Sequence, residues 1–214
     1  ERDVKTEDLI SALAADSKPP RKLGRSLLVA LVAGAFIAGA AFFATLGFRP
    51  DIESAARTIR FLFKFLVTLS LAAAAIGIVW RIGRPGVPLA LTSWTLTVPA
   101  LLLIGAVVVE LIIMPQASWG ARLVGRNSLH CLTAIPLLSI PTLAALLYVL
   151  REGAPANPAL AGAVAGLAAA AIAATYYASN CVDDSPLFVA TWYTLAISLV
   201  GIAGGLMGRR LLRW

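Results

Sequence analysis

Two cysteines and a single histidine are the residues of this chain whose side chains are best suited to chemistry. Cys131 directly follows His130, and Cys181 lies just before the acidic pair Asp183 and Asp184. Two thiols can close a structural disulfide, react with an oxidant, or bind a soft metal ion. No diagnostic spacing selects among these three uses, so all three stay open at the level of the sequence.

The disulfide and the redox switch differ in whether the two sulfurs stay bonded. A permanent disulfide would close a loop of about 50 residues and add about 4 kcal/mol of stability in the chain-entropy model. In a switch, we expect Arg126 and His130 to lower the pKa of Cys131, so that it reacts first. Asp183 and Asp184 would raise the pKa of Cys181. The thiol of Cys181 would then react with the oxidised sulfur of Cys131 to form a disulfide.

A metal site would use both thiolates and the imidazole. Cys131, Cys181 and His130 together suit Cu(I), or Zn(II) if Asp183 or Asp184 supplies a fourth ligand. Because three residues give no characteristic ligand spacing, we expect no cofactor that the chain requires. Copper or zinc would instead act as a signal.

Six apolar stretches, each long enough to cross a bilayer, determine where these side chains lie. They cover residues 27–46, 61–80, 94–114, 132–149, 158–178 and 187–207. A hydrocarbon core of about 30 Å needs about 20 apolar residues in a helix. Hydrophobic residues make up 59% of the chain and charged residues only 14%, which excludes a large soluble domain. We predict an all-α, polytopic bundle of six transmembrane helices.

The basic residues predict how this bundle is oriented. With both termini inside, the inner segments carry twelve basic residues, namely Arg2, Lys5, Lys18, Arg21, Lys22, Arg25, Arg81, Arg84, Arg151, Arg209, Arg210 and Arg213. The outer side carries six, namely Arg49, Arg57, Arg60, Lys64, Arg122 and Arg126. Because positive residues favour the cytoplasmic side, we predict an N-in, C-in protein of a bacterial inner membrane, with both cysteines facing the periplasm.

The position of the two cysteines depends on the fifth stretch. The fifth stretch is the least hydrophobic, because alanine and glycine dominate it. Its loss would place the two cysteines on opposite sides of the bilayer.

The net charge of +7 lies at the ends of the apolar stretches rather than in one basic tract. We therefore expect the partner of this surface to be the lipid bilayer, with no direct binding of nucleic acid.

Residues 1–16 are the only stretch with the pattern of a soluble helix. Thr6 is a candidate N-cap, and Leu9, Ile10 and Leu13 form an apolar stripe. Residues 17–26 form a Pro-containing basic linker to the transmembrane sensor domain, residues 27–214. Because so short a helix is marginal alone in water, we expect it to dock in a groove of a partner or to lie on the membrane surface.

Polar and helix-breaking residues within the apolar stretches carry further predictions. Glu110 and Lys64 lie at comparable depth, so an ion pair between them is favoured over a proton relay. Pro136 and Pro141 are expected to break the fourth helix, and Pro99 to interrupt the third. The broken fourth helix is then a candidate route by which movement at its outer end reaches the inner side.

Three short sequences are distinctive: K-T-E-D-L-I-S-A-L at residues 5–13, His130-Cys131, and N-C-V-D-D-S-P at residues 180–186. Together with the six spans they resemble the NrsF family of bacterial anti-sigma factors, over essentially the whole chain. The family implies a protein that holds an extracytoplasmic-function (ECF) sigma factor inactive at the inner membrane until a stress signal releases it. It also implies that the outer cysteines, which match Cys131 and Cys181, sense oxidants or heavy metals.

Under this resemblance, residues 6–15 are at least part of the sigma-binding segment. Thr6 would cap its helix, and Leu9, Ile10 and Leu13 would be the apolar anchors. Asp8 would meet a basic surface of the sigma factor. The sigma factor is therefore the partner that we expect on the cytosolic side.

Two other functions stay open from the residues alone. A small membrane transporter would use Glu110 or the thiols along a pathway. A structural subunit of a larger membrane complex would use the apolar faces and a structural disulfide. The chain has no metalloprotease motif, nucleophile elbow or Walker loop, so we predict that it is not an enzyme.

Overall fold

A computed structural model describes residues 23–82, 94–153 and 155–213, and these residues form helices joined by short connections. Six helical segments are long and apolar enough to cross a membrane. They are Leu23–Thr45, Ile59–Ile82, Trp94–Ile113, Gln116–Glu152, Pro158–Ala178 and Pro186–Leu211. For the described residues, the prediction of an all-α bundle with six helices of membrane-spanning length is therefore confirmed. The predicted N-terminal helix, with Thr6, Asp8, Leu9, Ile10 and Leu13, lies outside the described residues.

The helices are numbered in chain order. The long ones are α1 (Leu23–Thr45), α3 (Ile59–Ile82), α4 (Thr97–Ile113), α6 (Ser128–Glu152), α7 (Pro158–Ala178) and α9 (Thr194–Leu211). The short ones are α2 (Ile52–Ala55), α5 (Trp119–Val124) and α8 (Pro186–Phe188). Single 3-10 turns, Trp94–Leu96 and Gln116–Ser118, precede α4 and α5. A π-helical turn, Val189–Tyr193, joins α8 to α9.

Helix α7, the alanine-rich fifth span, occupies the centre of the bundle. It packs against α1, α3, α6 and α9. In its apolar stretch of 18 residues, 61% of the residues are buried inside the bundle, the largest share among the six spans. Alanine and glycine are weakly hydrophobic, but they allow neighbouring backbones to approach closely. The composition that made this span the weakest prediction thus explains its central place. Its presence keeps both cysteines at one end of the bundle.

Glycines on both sides form the contact between α7 and α9. A Cβ atom on Gly166 would lie 2.6 Å from the carbonyl oxygen of Val200. One on Gly162 would collide with the carbonyl oxygen of Gly204, and one on Gly208 with that of Pro158. Gly162 and Gly166 are one turn apart, as in the small-xxx-small pattern of membrane helix pairs. The two backbones therefore touch directly.

Helix α4 is the least integrated span. Only 11% of the residues in its apolar 18-residue stretch are buried inside the bundle. The buried residues of α4 are Pro99 and Glu110. Pro99 was predicted to interrupt this helix, but it lies in the first turn of α4. The prediction was wrong because a first-turn residue needs no backbone N–H for the helical hydrogen bonds.

Helix α6 runs unbroken from Ser128 to Glu152 although it contains Pro136 and Pro141. The prediction that these prolines break the fourth helix is therefore wrong. Each proline removes one N–H donor, and membrane helices tolerate this where side chains and neighbouring helices compensate. The packing of α1 against α6 supports the helix here.

The connections gather alternately at two ends of the bundle. The connections at residues 46–58, 114–127 and 179–185 meet at one end, which also holds both cysteines and is called the cysteine end. At the opposite end, Leu23 lies against Gly153, and Gly24 lies against Trp80. The chain enters α1 at that opposite end. Residues 23–26, predicted as linker, already belong to α1, since Arg25 and Ser26 can remain at its solvated end.

Candidate functional site at the cysteine end

Both cysteines are fully buried free thiols in the same apolar core. Cys131 lies in the first turn of α6, and Cys181 lies in the connection at residues 179–185, which is called the Cys181 loop. Asn127 contacts both. Its carbonyl oxygen accepts the N–H of Cys131 at 2.8 Å, and its side-chain Nδ2 lies 4.0 Å from Sγ of Cys181. The structure thus brings the two predicted sensing residues to one place.

Asp183 fastens the Cys181 loop to the start of α6. Its Oδ2 accepts the backbone N–H of Arg126 at 2.9 Å and that of Asn127 at 2.8 Å. The positive end of the α6 dipole stabilises a carboxylate at the start of the helix. The carboxylate also accepts from backbone N–H groups that the helix leaves without a partner. Asp183 therefore has a structural task, since it holds the segment on which Cys131 begins.

Lys64 and Asp184 form a buried ion pair beside Cys181. Lys64 has no exposed surface, and its Nζ lies 2.5 Å from Oδ1 of Asp184. The same ammonium donates to the carbonyl oxygen of Cys181 at 2.8 Å and lies 5.4 Å from the ring centroid of Phe61. A buried charge is tolerated only when it is paired and hydrogen-bonded. Asp184 and the Cys181 carbonyl meet that need.

Arg49, from the connection after α1, reaches the same two acceptors. Its Nη1 lies 2.9 Å from Oδ2 of Asp184 and donates to the carbonyl oxygen of Cys181 at 3.2 Å. Its Nε and Nη2 contact both carboxylate oxygens of Asp51, at 2.7 and 2.8 Å. These hydrogen bonds, first to Asp51 and then to Asp184, raise the pKa of Arg49 above its usual value and lower that of Asp51. The guanidinium is thus fixed in place.

Glu110 was predicted to pair with Lys64, and that prediction is wrong. Its Oε1 accepts from Arg122 at 3.3 Å. Its Oε2 accepts the Ser185 hydroxyl at 2.7 Å and the N–H of Leu187 at 3.0 Å. Glu110 thereby caps the start of the last span, where a negative charge is favoured. Lys64 instead turns toward the Cys181 loop.

Burial dominates the electrostatics of Cys181. It raises the pKa of this thiol, and the carboxylate of Asp183 acts in the same direction, whereas Lys64 opposes the shift. The thiolate is the nucleophile and the metal ligand, so a thiol held in its protonated form reacts slowly. The hydroxyl of Tyr193 is buried near this thiol. It has no hydrogen-bond partner of normal geometry among the described residues. Cys181 is therefore shielded at rest.

His130 and Arg126 lie apart from the thiols. Both side chains are exposed, whereas Cys131, the next residue after His130, is fully buried. Successive residues on a helix point about 100° apart, so the imidazole faces away from the core. Within the described ranges, no group of three or more His, Cys, Asp or Glu residues could hold a metal ion. The ligand set of two thiols and an imidazole is therefore not assembled in this arrangement.

Several residues of the site were not singled out by their sequence. Arg49 was counted only among the outer basic residues, and Asn127 and Tyr193 carried no prediction. One signal could have indicated Arg49. The acidic pair in the last outer loop needs cations at the same end, and Arg49 lies in another outer connection. The π-helical turn that places Tyr193 has no comparable sequence signal, although such turns often occur at functional sites.

Comparison with known proteins gives consistent matches over almost the whole chain. A family profile described as "Negative regulator of sigma F" (NrsF) matches residues 13–214. The chain is 36% identical to the anti-sigma-F factor NrsF of Caulobacter vibrioides, across 99% of this chain and 100% of that protein. It is 33% identical to the probable anti-sigma-F factor NrsF of Azospira oryzae, with the same coverage of both chains. No solved structure matches significantly.

Proposed function

This chain belongs to the NrsF family of negative regulators of sigma F, and we propose that it is an anti-sigma factor that holds an ECF sigma factor at a bacterial inner membrane. The observation that carries this proposal is the match to named anti-sigma-F factors along nearly the full length of both proteins. The six spans supply the membrane anchor. The sigma factor would bind the cytosolic N-terminal segment, with Leu9, Ile10 and Leu13 as anchors and Asp8 against a basic surface.

The sensing step of this proposal uses Cys131 and Cys181 at a periplasmic cysteine end. Two buried thiols beside one shared residue, Asn127, support a pair that changes together. Oxidation would join the two sulfurs as a disulfide, with two protons and two electrons passing to the oxidant. A soft metal signal such as copper would have to bind the two thiolates without His130, because that side chain is exposed. The geometry therefore favours an oxidant over a metal.

A disulfide supplies only part of the free energy that a complete switch requires. Moving the bound sigma factor from about 99:1 in favour of retention to 99:1 in favour of release needs about 5.5 kcal/mol of differential stabilisation. A disulfide contributes on the order of 2–4 kcal/mol. Even if all of that free energy reached the inner side, the shift would be incomplete, so a partial release is the expected response to disulfide formation alone.

The transporter alternative loses its main candidate residue. Glu110 is 4% exposed and is occupied by Arg122, Ser185 and the N–H of Leu187. A carboxylate with these three partners stabilises the start of the last span. Its geometry supports a structural role.

The proposal is tested by co-purification from the native host. The tagged full-length chain is solubilised gently and compared with a variant that lacks residues 1–16 and with one in which Leu9, Ile10 and Leu13 are replaced by Ser. We expect a sigma factor with the full-length chain and none with either variant. A sigma factor that stays bound to both variants would remove the N-terminal segment from the interface. The absence of any sigma factor with the full-length chain would contradict the anti-sigma function.

A further inference from the structure

We propose that Arg49 and Asn180 connect the Cys181 loop to α1, and that a change at the thiols reaches the N-terminal segment through this helix. The inference rests on the proposed function, because it names the residues that pass the signal onward. It differs from the sequence-based expectation, in which the proline-containing fourth helix carried the movement. It depends on how the end of α1 is held at the cysteine end.

The end of α1 is bonded directly to the Cys181 loop. Nδ2 of Asn180 donates to the carbonyl oxygen of Gly47 at 3.0 Å and to that of Leu46 at 3.4 Å. These two residues close the helix, since both of their N–H groups donate to the carbonyl oxygen of Phe42. The φ angle of Gly47 is +68°, a value that favours glycine at this position. The backbone N–H of Arg49 then donates to the carbonyl oxygen of Ser179 at 3.1 Å.

The side chain of Arg49 adds a second connection, to the residue that bears the thiol. It is 7% exposed and contacts both the carbonyl oxygen of Cys181 and the carboxylate of Asp184. Asp51 holds the other edge of the guanidinium. Because the planar guanidinium binds several acceptors in one fixed geometry, a displacement of Cys181 must move Arg49 or break these bonds.

Lys64 provides a natural comparison. It contacts the same carbonyl oxygen of Cys181 and the same carboxylate of Asp184, but it belongs to α3. The far end of α3 leads into the connection between the second and third spans. The far end of α1 is Leu23, which continues directly into residues 1–22. Only the Arg49 side of this shared site therefore leads to the predicted sigma-binding segment.

Helix α1 is suited to transmit such a movement. It has 23 residues and so spans about 34 Å at 1.5 Å per residue, which is enough to cross the bilayer without a break. No proline interrupts it, so a movement at one end is carried along the helix to the other. Sliding or tilting as a unit is the movement open to such a helix. Disulfide formation would drive it, because the sulfurs of two free cysteines must come to a bonding distance of about 2.05 Å and so pull on Cys181.

The test separates sensing from transmission. Full-length wild type and Arg49→Met are treated in native membranes with diamide, an azo compound that takes up two hydrogens as two thiols become a disulfide. Disulfide formation is measured by the mass of the alkylated protein, and sigma-factor retention is measured on the same membranes. We expect the ratio of retained to released sigma factor to fall about tenfold in wild type, and less than about twofold in Arg49→Met, with equal disulfide formation in both. Equal release from the two proteins would overturn the inference.

Three further variants make the result specific. Asn180→Ala removes the two bonds to the end of α1 without changing charge, so it should also retain the sigma factor after oxidation. Arg57→Met is the matched control, because Arg57 is an exposed arginine of the same connection, and it should release like wild type. Lys64→Met should form the disulfide and still release. Release by Asn180→Ala as in wild type would place the connection elsewhere, as would retention by Lys64→Met.

A second readout distinguishes failure of this inference from failure of the proposed function. Hydrogen exchange of residues 1–30 is measured in reduced and diamide-treated protein without any partner. We expect oxidation to change the exchange rates of this segment at least about twofold in wild type, and not in Arg49→Met. If the wild type binds no sigma factor but shows this difference, the connection stands and the partner is wrong. If the exchange rates are the same in all proteins, the connection through α1 is wrong.

Discussion

The α7–α9 contact and the cysteine end are held together by opposite means. At the first, glycine backbones touch, and the attraction is close packing without directional bonds. At the second, Arg49 and Lys64 bind Asp184 of the Cys181 loop, and Asp183 of the same loop binds the start of α6, by ion pairs and hydrogen bonds of defined direction. The α7 and α9 backbones cannot shift without losing their contact, whereas the hydrogen-bonded Cys181 loop can exchange one set of partners for another. The difference suggests a fixed scaffold and an adjustable end.

The largest effect is expected at the scaffold. Gly162→Leu would drive a side chain into the backbone of α9, so the two helices must separate. We expect a loss of about 3 kcal/mol or more in the free energy of unfolding, measured as the loss of folded protein on heating in detergent. Gly77→Leu is the matched control, because a Cβ there meets nothing within 4 Å. Equal stability of the two variants would show that the helices are not in close contact.

An intermediate effect is expected at the adjustable end. Asp184→Ala removes the carboxylate shared by Lys64 and Arg49 and leaves a buried ammonium without its ion-pair partner. We expect a destabilisation of about 2 kcal/mol, below the usual range for fully buried pairs because Asp184 is 20% exposed. Asp51→Ala, on the exposed side of Arg49, should change stability little. The comparison fails if Asp51→Ala is the more damaging change.

The thiols should also report on the adjustable end through their pH dependence. Burial raises the pKa of Cys181, so alkylation of this residue in a Cys131→Ser variant should become fast only above about pH 8.5, the value for a free thiol. The same shift makes the folded state lose stability as pH rises above about 8.5, because the unfolded chain ionises first. Alkylation that already reaches its plateau below pH 8 would show an accessible thiolate instead.

The smallest effect is expected at the Glu110 cap. Arg122 is 30% exposed and its contact with Glu110 is 3.3 Å long, so Arg122→Ala should cost about 0.5 kcal/mol. Glu110→Ala should cost more, since it leaves the Ser185 hydroxyl and the Leu187 N–H without their acceptor. Thermal unfolding of the two variants in detergent measures both values. A larger loss for Arg122→Ala would mean that the ion pair, and not the cap, is what Glu110 provides.

The two regions also differ in how far their residues could be predicted. The spans follow from length and hydropathy alone, and even the alanine-rich α7 lies where its apolar stretch predicts. Partner choice at the cysteine end could not be predicted in this way. Lys64 and Glu110 lie at similar depth, but each side chain turns to a different part of the loop between Cys181 and Leu187. Depth follows from sequence position, whereas direction depends on how the helices pack.

The central claim is that Cys131 and Cys181 control retention of a sigma factor. The most direct test measures sigma-factor retention on native membranes against diamide concentration, in wild type and in Cys131→Ser and Cys181→Ser variants. We predict that wild type releases its partner as the disulfide forms, while each single variant retains it at every concentration. Release from both single variants at the same concentration as wild type would contradict the claim.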